Sequence, residues 1–509
     1  MNARVATPWV AAVAALCAGF WLLRIALSAF SGASLHVDEA QYWDWSRSLQ
    51  WGYSSKPPMI AALIRASSAL LGDDETGLRA LAMACYPLAG AALAWLAADI
   101  ARESGTRADG AARWAAGLLL ASPLVCLLGV VATTDGPLVL YWSVAMAALW
   151  FAVVRQRAAA WVVFALACGA GMLSKYTFGA FIAGSALFVL LHGARRDWLR
   201  WFAAAVGAFL VWSPNLWWNH SQGWPTLRHT AEITVQAERH ARSAGAALGA
   251  TGEFLAGQLV AFGPVALLVL AFILWCGRGQ ASPVPKAARG LLLWTSVPLA
   301  LAGLAQSWRS GAQVNWIAPV HLGFFLAAAL CVAAAASKPR RWMAAALGLQ
   351  VAVLSALTVL PSLSAAFGRP VPHNLDLWGR MRGWGEALHL MEPTLAATPD
   401  AIVVGTSRAA LTQAAYHWRG LGVKRAAWQP GTVPRDQYQL RCPWSLKDGG
   451  PIFVLSEGAP PEDIAQAVGG LQTVSIARVQ VTAKRTIDLR LSRPVQPLPR
   501  ATGERKVCE

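Results

Sequence analysis

Residues Ala158 to Leu191 read AAAWVVFALACGAGMLSKYTFGAFIAGSALFVLL, a run whose only charge is Lys175. A bilayer core takes about 20 apolar residues per helix, so this stretch is too long for one crossing and just long enough for two short ones. The division falls at Ser174-Lys175. A cation between two apolar helices is costly to keep out of water and is usually there for function.

The rest of the chain has the same character. Of 509 residues, 56% are apolar and 14% charged, with a mean hydropathy of +0.43. Soluble domains carry about 25% charged residues, so this chain lacks the polar surface to cover a water-facing globule. Disorder is excluded by the same numbers. Eleven spans are predicted, at Pro8–Phe30, Leu78–Ile100, Ala111–Val131, Pro137–Val154, Ala158–Leu173, Tyr176–Leu191, Leu199–Asn215, Glu253–Cys276, Gly290–Gln306, Asn315–Ala336 and Arg341–Leu360. The formal charge of +17 does not indicate nucleic acid, because cytoplasmic loops of membrane proteins collect Lys and Arg. Arg102, Arg107 and Arg113, then Arg155 and Arg157, Arg195 and Arg196, and Lys338 and Arg340 recur in alternate connections. The amino terminus and these loops are thereby placed in the cytoplasm, and an odd number of spans puts the carboxyl-terminal region outside. Most acids fall on that outer side, among them Asp38, Glu39, Asp44, Asp135 and Glu253.

The first outer loop, residues 31–77, is too long for a simple connection. Asp38 to Leu49 reads as a helix. Pro57-Pro58 opens a second, with Ile60, Leu63, Ile64 and Leu71 on one apolar face and Arg65, Ser67 and Ser68 elsewhere, as expected of a helix lying in the membrane interface. Residues 1–360 are expected to form the membrane domain, and 361–509 a small extracytoplasmic α/β domain. There Ala401 to Val404 reads as a strand, Gly405 leads into a helix near 407–418, and the stretches 451–455 and 471–491 are strand-rich. Cys442 and Cys508 are candidates for a disulfide in such a compartment; the other six cysteines, Cys276 included, sit in apolar runs and read as core residues.

Chemistry-bearing candidates cluster on the outer side. Asp38-Glu39 is explained plainly as a helix cap with a first-turn acid, or functionally as a carboxylate that takes a proton from an attacking hydroxyl. Lys56 is either a snorkelling lysine or a phosphate ligand aided by the following helix. Asp135, in Thr134-Asp135-Gly136-Pro137, is accounted for by turn chemistry and becomes a site candidate because it faces the same side as Asp38. His220 and His229 are candidate partners of Asp135 or Glu232 at a divalent metal, although no HxxxH-type pair is present. Arg309 is an interface anchor or a second phosphate partner. The chain has no Walker loop and no DxD string, so nucleotide-sugar or ATP chemistry has no visible support. Gly169-Ala170-Gly171 lies within a span and reads as helix packing.

The succession His36-Val37-Asp38-Glu39-Ala40-Gln41-Tyr42-Trp43, Gly52-Tyr53, Lys56-Pro57-Pro58, Thr134-Asp135-Gly136-Pro137, Leu173-Ser174-Lys175-Tyr176-Thr177, the segment from Asn215 to Trp224, and Asn315-Trp316-Ile317-Ala318-Pro319 resembles bacterial glycosyltransferase family 39 and the aminoarabinose-transferase-like enzymes. The resemblance covers residues 8–360 in order. It implies a GT-C membrane fold and an inverting transfer, hexosyl or pentosyl, from a polyprenyl-phosphate donor to a glycolipid, lipopolysaccharide or protein acceptor. The implied setting is the periplasmic face of the inner membrane. Asp38 would be the general base, Glu39 its support, and Lys56, Lys175 and Arg309 the phosphate ligands. Tyr42, Tyr53, Asp135, Tyr176, His220 and His229 would line the cavity. Metal dependence stays open, with Asp135 and His229 as its candidates. Ser55 departs from the aminoarabinose transferases, which carry a glutamate at that place. The rival readings are a transporter or flippase of a polyprenyl-linked lipid, and a non-catalytic lipid-binding scaffold.

Overall fold

The computed structural model describes residues 8–235, 243–266, 283–369, 371–373, 375–499 and 506–508. It divides into two compact units, one of Met1–Leu27 with Lys56–Ala356, the other of Ser28–Ser55 with Leu357–Glu509. Residues 28–55, read from the sequence as part of the membrane domain, therefore group with the carboxyl-terminal residues.

The first unit is helical. Across the described chain five helices are long and apolar enough to cross a membrane: Trp9–Phe30, Glu75–Glu103, Asp135–Val153, Lys286–Ser310 and Ser337–Ala366. Shorter apolar helices include Met59–Leu71, Ala158–Ser174 and Val320–Ala334. Helix Glu75–Glu103 packs on Ala108–Ala121 and Asp135–Val153, the latter packs on Ala158–Ser174, and that helix on Arg195–Ser221. Small residues set these distances. A Cβ at Gly169 would lie 2.5 Å from the Val211 side chain, and one at Gly184 only 1.9 Å from the Trp294 carbonyl oxygen, so backbones meet there as they do where membrane helices pack tightly.

Two expectations need correction. The predicted span Ala111–Val131 is broken: one helix ends at Ala121, Ser122 caps the next by accepting the Val125 N–H, and Pro123 opens Pro123–Leu128. Proline cannot donate the hydrogen bond that would continue the first helix, and it suits the first position of a new one. The second concerns helix Met59–Leu71. Its face of Ile60 and Ile64 is fully buried by protein, on Glu75–Glu103. Ser67 lies on that buried face, donating to the Gly77 carbonyl at 2.6 Å and accepting the Leu81 N–H at 3.1 Å. Leu70, at 73% exposed, is an apolar residue left uncovered. The predicted span Glu253–Cys276 is helical over Ala244–Phe262; Cys276 lies outside the described residues.

The second unit holds a six-stranded sheet of β1 (Ile402–Gly405), β2 (Arg425–Trp428), β3 (Pro443–Trp444), β4 (Ile452–Glu457), β5 (Leu471–Thr482) and β6 (Arg485–Pro494), in the order β3-β2-β1-β4-β6-β5. β1 to β4 pair in parallel, and β6 and β5 complete the sheet antiparallel. Alternate residues of β1 serve opposite layers: Val403 packs with Trp384, Ala414 and Trp418, whereas Ile402 and Val404 pack with Ala426, Trp444 and Ile464. Parallel strands buried on both faces explain why this stretch is apolar without alternation. Helix Arg408–His417 follows β1 through Gly405, where a Cβ would meet Leu411 at 2.2 Å. Helix Val37–Arg47 packs on Arg408–His417, with Trp43 edge-on to Tyr416 at 5.2 Å.

Cys442 and Cys508 form a disulfide. It ties the chain end beside β2, where Arg425 and Cys508 exchange backbone hydrogen bonds of 2.9 and 2.7 Å. The bridge spans 66 residues of sequence, so it removes much of the freedom of the unfolded chain. Replacing Cys508 with Ser, or reducing the bridge, should lower the stability of this unit by about 2–4 kcal/mol, read as a lower melting temperature beside the oxidised wild type.

Candidate active site

Asp135 begins helix Asp135–Val153, and its neighbour Gly136 lets that helix end lie against Glu75–Glu103, since a Cβ there would be 2.8 Å from the Ala82 carbonyl oxygen. A carboxylate in a helix's first turn is favoured by the macrodipole. Lys175 sits where Ala158–Ser174 ends, in extended backbone that opens the turn Tyr176–Phe178. Its Nζ donates to Asp135 Oδ1 at 2.8 Å, and Asn315 Nδ2 donates to Oδ2 at 2.7 Å. The Asp135 side chain is 3% exposed and that of Lys175 14%. Both oxygens of the acid are thus engaged by an ammonium and an amide, a pattern that fixes a cation rather than builds a turn. Tyr176 continues the polar track: its hydroxyl donates to Asn215 Oδ1 at 2.6 Å and accepts from Asn219 Nδ2 at 3.1 Å.

The second unit carries Asp38. The helix cap is His36: its Nδ1 accepts the Asp38 N–H at 3.2 Å, and Glu39 Oε2 accepts the His36 N–H at 3.0 Å, closing a capping box. The 3.9 Å approach of His36 Nδ1 to Asp38 Oδ2 is not an ion pair in that arrangement, because an accepting nitrogen bears no proton. Glu39 is buried and occupied in the cap, so the two adjacent acids have separate roles. Asp38 is the accessible one, its side chain 46% exposed. Arg408 Nη1 holds Oδ1 at 2.8 Å and also donates to Gln41 Oε1.

The other sequence candidates fall as follows. Lys56 is half-buried just ahead of helix Met59–Leu71. Arg309 is exposed in the last turn of Lys286–Ser310. His220 is exposed beside Trp224, and His229 is half-buried. Tyr42 is buried. Tyr53, expected to line a cavity, is instead sealed beneath Trp45, stacked at 4.3 Å with its hydroxyl donating to the Trp45 carbonyl at 3.1 Å. That burial pushes the Tyr53 phenol up to about 12. Among the described residues no group of three or more His, Cys, Asp or Glu side chains is placed to hold a metal ion. Asp135, offered as a metal candidate, instead spends its oxygens on Lys175 and Asn315.

Arg408 was not singled out from the sequence, and Asn215, Asn219 and Asn315 were noted only within longer runs. Arg408 carried one signal: it is the first residue of its helix, the end where a cation is electrostatically misplaced unless something anionic meets it.

Residues 55–218 match the family described as dolichyl-phosphate-mannose-protein mannosyltransferase. A curated relative, the lipid A galacturonosyltransferase RgtD of Rhizobium johnstonii, is 27% identical over 87% of this chain and 90% of its own length. ArnT of Cupriavidus metallidurans superposes with a TM-score of 0.59 in its undecaprenyl-phosphate-bound structure, at 17% identity, covering 98% of this chain and all of that one. Its apo structure gives 0.57 at 15% identity, covering 97% and 99%. The chain is thus similar to known glycosyltransferases and shares the fold of ArnT. The matched segment contains Lys56, Asp135, Lys175 and Asn215, whereas Asp38 lies before it.

Removing one partner of a buried ion pair leaves an uncompensated charge and costs about 3–5 kcal/mol. Lys175→Met should therefore lower thermal stability in detergent strongly. The Asp135→Asn, Lys175→Met double variant should recover most of the loss, as measured by a double-mutant cycle on the melting transition.

Proposed function

We propose that the chain is an inverting glycosyltransferase that moves a hexuronic acid from a polyprenyl-phosphate donor to a lipid A-type glycolipid, on the periplasmic face of the inner membrane. The observation that carries this reading is Lys175, an ammonium kept at a break between two apolar helices within the family-matched segment. A cation so placed suits a phosphate that arrives on a lipid tail. The relative's action on lipid A and the undecaprenyl phosphate bound to ArnT are consistent with that donor and acceptor.

In the proposed step an acceptor hydroxyl oxygen attacks the anomeric carbon as Asp38 takes its proton. The bond from that carbon to the phosphate oxygen breaks, and polyprenyl phosphate departs with the electron pair. A phosphate monoester is a stable anion, so the departing group needs cations more than a strong acid. Lys56, Lys175 and Arg309 are the proposed ligands of that phosphate. Asp135 holds Lys175 in place, and Glu39 fixes the start of the helix that bears Asp38. Attack opposite the leaving group inverts the anomeric centre.

Asp38→Asn keeps the shape of the side chain and removes the base. Sugar transfer by purified protein should fall by about 10²–10⁴-fold, with binding of polyprenyl phosphate retained. Turnover at the wild-type rate would remove Asp38 from the base role. Mass spectrometry of lipid A from cells with and without the active protein should differ by one hexuronic acid residue, and a different added sugar would correct the donor assignment.

A further inference from the structure

The carboxyl-terminal half of the chain contributes a guanidinium to Asp38, and nothing in the reading above uses it. Arg408 lies 370 residues away in sequence. Its placement is over-determined: β1 delivers the chain to the helix start, and Ser407 caps that helix by accepting the Ala410 N–H at 3.1 Å while donating to Glu457 Oε1 at 2.6 Å. Nη1 then contacts Asp38 Oδ1 and Gln41 Oε1, side chains one helical turn apart on Val37–Arg47. The guanidinium is 40% exposed and the carboxylate 46%, so both are open to water. A surface pair of this kind contributes little to stability. Its worth lies elsewhere: one guanidinium nitrogen bridges Asp38 and Gln41 and so fixes where the carboxylate points.

We infer that Arg408 is a positioning residue for the transfer reaction: it grips Asp38 Oδ1 and so sets where the carboxylate points as it takes the proton of the incoming hydroxyl. The inference rests on the base role proposed for Asp38. Groups beside this acid include His36, whose Nδ1 accepts the Asp38 N–H, Glu39, engaged in the same cap, and Arg408. On the facing elements Asp436 acts electrostatically on Arg408, and Glu457 is turned to Ser407. Arg408 brings a positive charge to Asp38, and a cation beside a carboxylate favours its charged form.

The test is the pH dependence of kcat/KM in full-length Arg408→Ala, Arg408→Gln and Arg408→Lys. In the Ala and Gln variants the acidic limb should move to higher pH, because a carboxylate that loses a neighbouring cation holds its proton longer. At pH above that limb kcat should still be lower by about tenfold or more, from loss of orientation. Arg408→Lys should keep the limb near its wild-type position, and millimolar guanidinium should partly restore Arg408→Ala. Gln retains bulk and a hydrogen-bond donor, so it serves if Ala fails to fold. A wild-type limb in Arg408→Gln would overturn the inference, as would an activity loss uniform across pH without guanidinium rescue. Full turnover in Asp38→Asn would instead sink the base assignment, a result distinguishable from either.

Discussion

An ammonium and a carboxylate 2.8 Å apart, both withdrawn from water, are the constraint on which the helical unit depends. Neither charge is tolerable alone in apolar surroundings, so each element that carries one must end where the other is. Three helix junctions obey this: the start of Asp135–Val153, the break at Lys175, and the turn Val314–Ile317 that bears Asn315. Helix ends leave backbone groups unsatisfied, so polar side chains gather there at least cost. The phosphate-ligand role proposed for Lys175 and the fold thus use the same position. A bundle with continuous helices through these points would bury its charges without partners, and one with apolar residues there would have nothing to offer an anion.

The membrane character of the chain was legible because span length is a bulk property. Most predicted spans correspond to helices whose ends differ by a few residues, as with Pro137–Val154 against Asp135–Val153. What hydropathy cannot distinguish is burial by protein from burial by lipid. Met59–Leu71 looks interfacial by its apolar face, yet Ile60 and Ile64 are covered by protein, and Ser67 is welcome among them only because Gly77 and Leu81 satisfy its hydroxyl. The interruption at Ser122-Pro123 was readable locally and was passed over because the residues on either side are apolar.

The candidate site was legible residue by residue but not as pairs. Lys175 stood out as the only charge in its run, and Asp135 as an acid on the outer side, yet nothing in the sequence joins positions 40 apart. Asp38 and Glu39 were told apart in the sequence only by family resemblance, as base and support; the capping box separates them physically, with buried Glu39 closing the helix end and Asp38 half-exposed. Arg408 was invisible for a simpler reason. Its partner lies hundreds of residues upstream, and only its awkward place at a helix amino terminus hinted that an anion awaited it.

Within the second unit, the segment 28–55 is held by a set of directional bonds rather than by grease alone. Gln413 donates to the Leu35 carbonyl at 2.9 Å, Gln437 accepts the Ser54 N–H at 2.7 Å, and Arg408 reaches Asp38 and Gln41. Arg425 lies 3.9 Å from Asp44, a buried acid whose pKa burial raises despite that cation. An apolar interface such as Trp43 on Tyr416 tolerates sliding, whereas hydrogen bonds to fixed backbone atoms do not. Burying Asp44 and Arg425 is a poor route to stability. Such an arrangement makes sense where register matters more than binding energy, and the residue whose register it sets is Asp38. In the base role proposed for it, its oxygen must lie within hydrogen-bond reach of the donor, and a displacement of 1 Å is enough to cost about a hundredfold in rate. The sheet is accordingly not an appendage to the segment that bears the acid: its helix and loop side chains are what fix that acid in place.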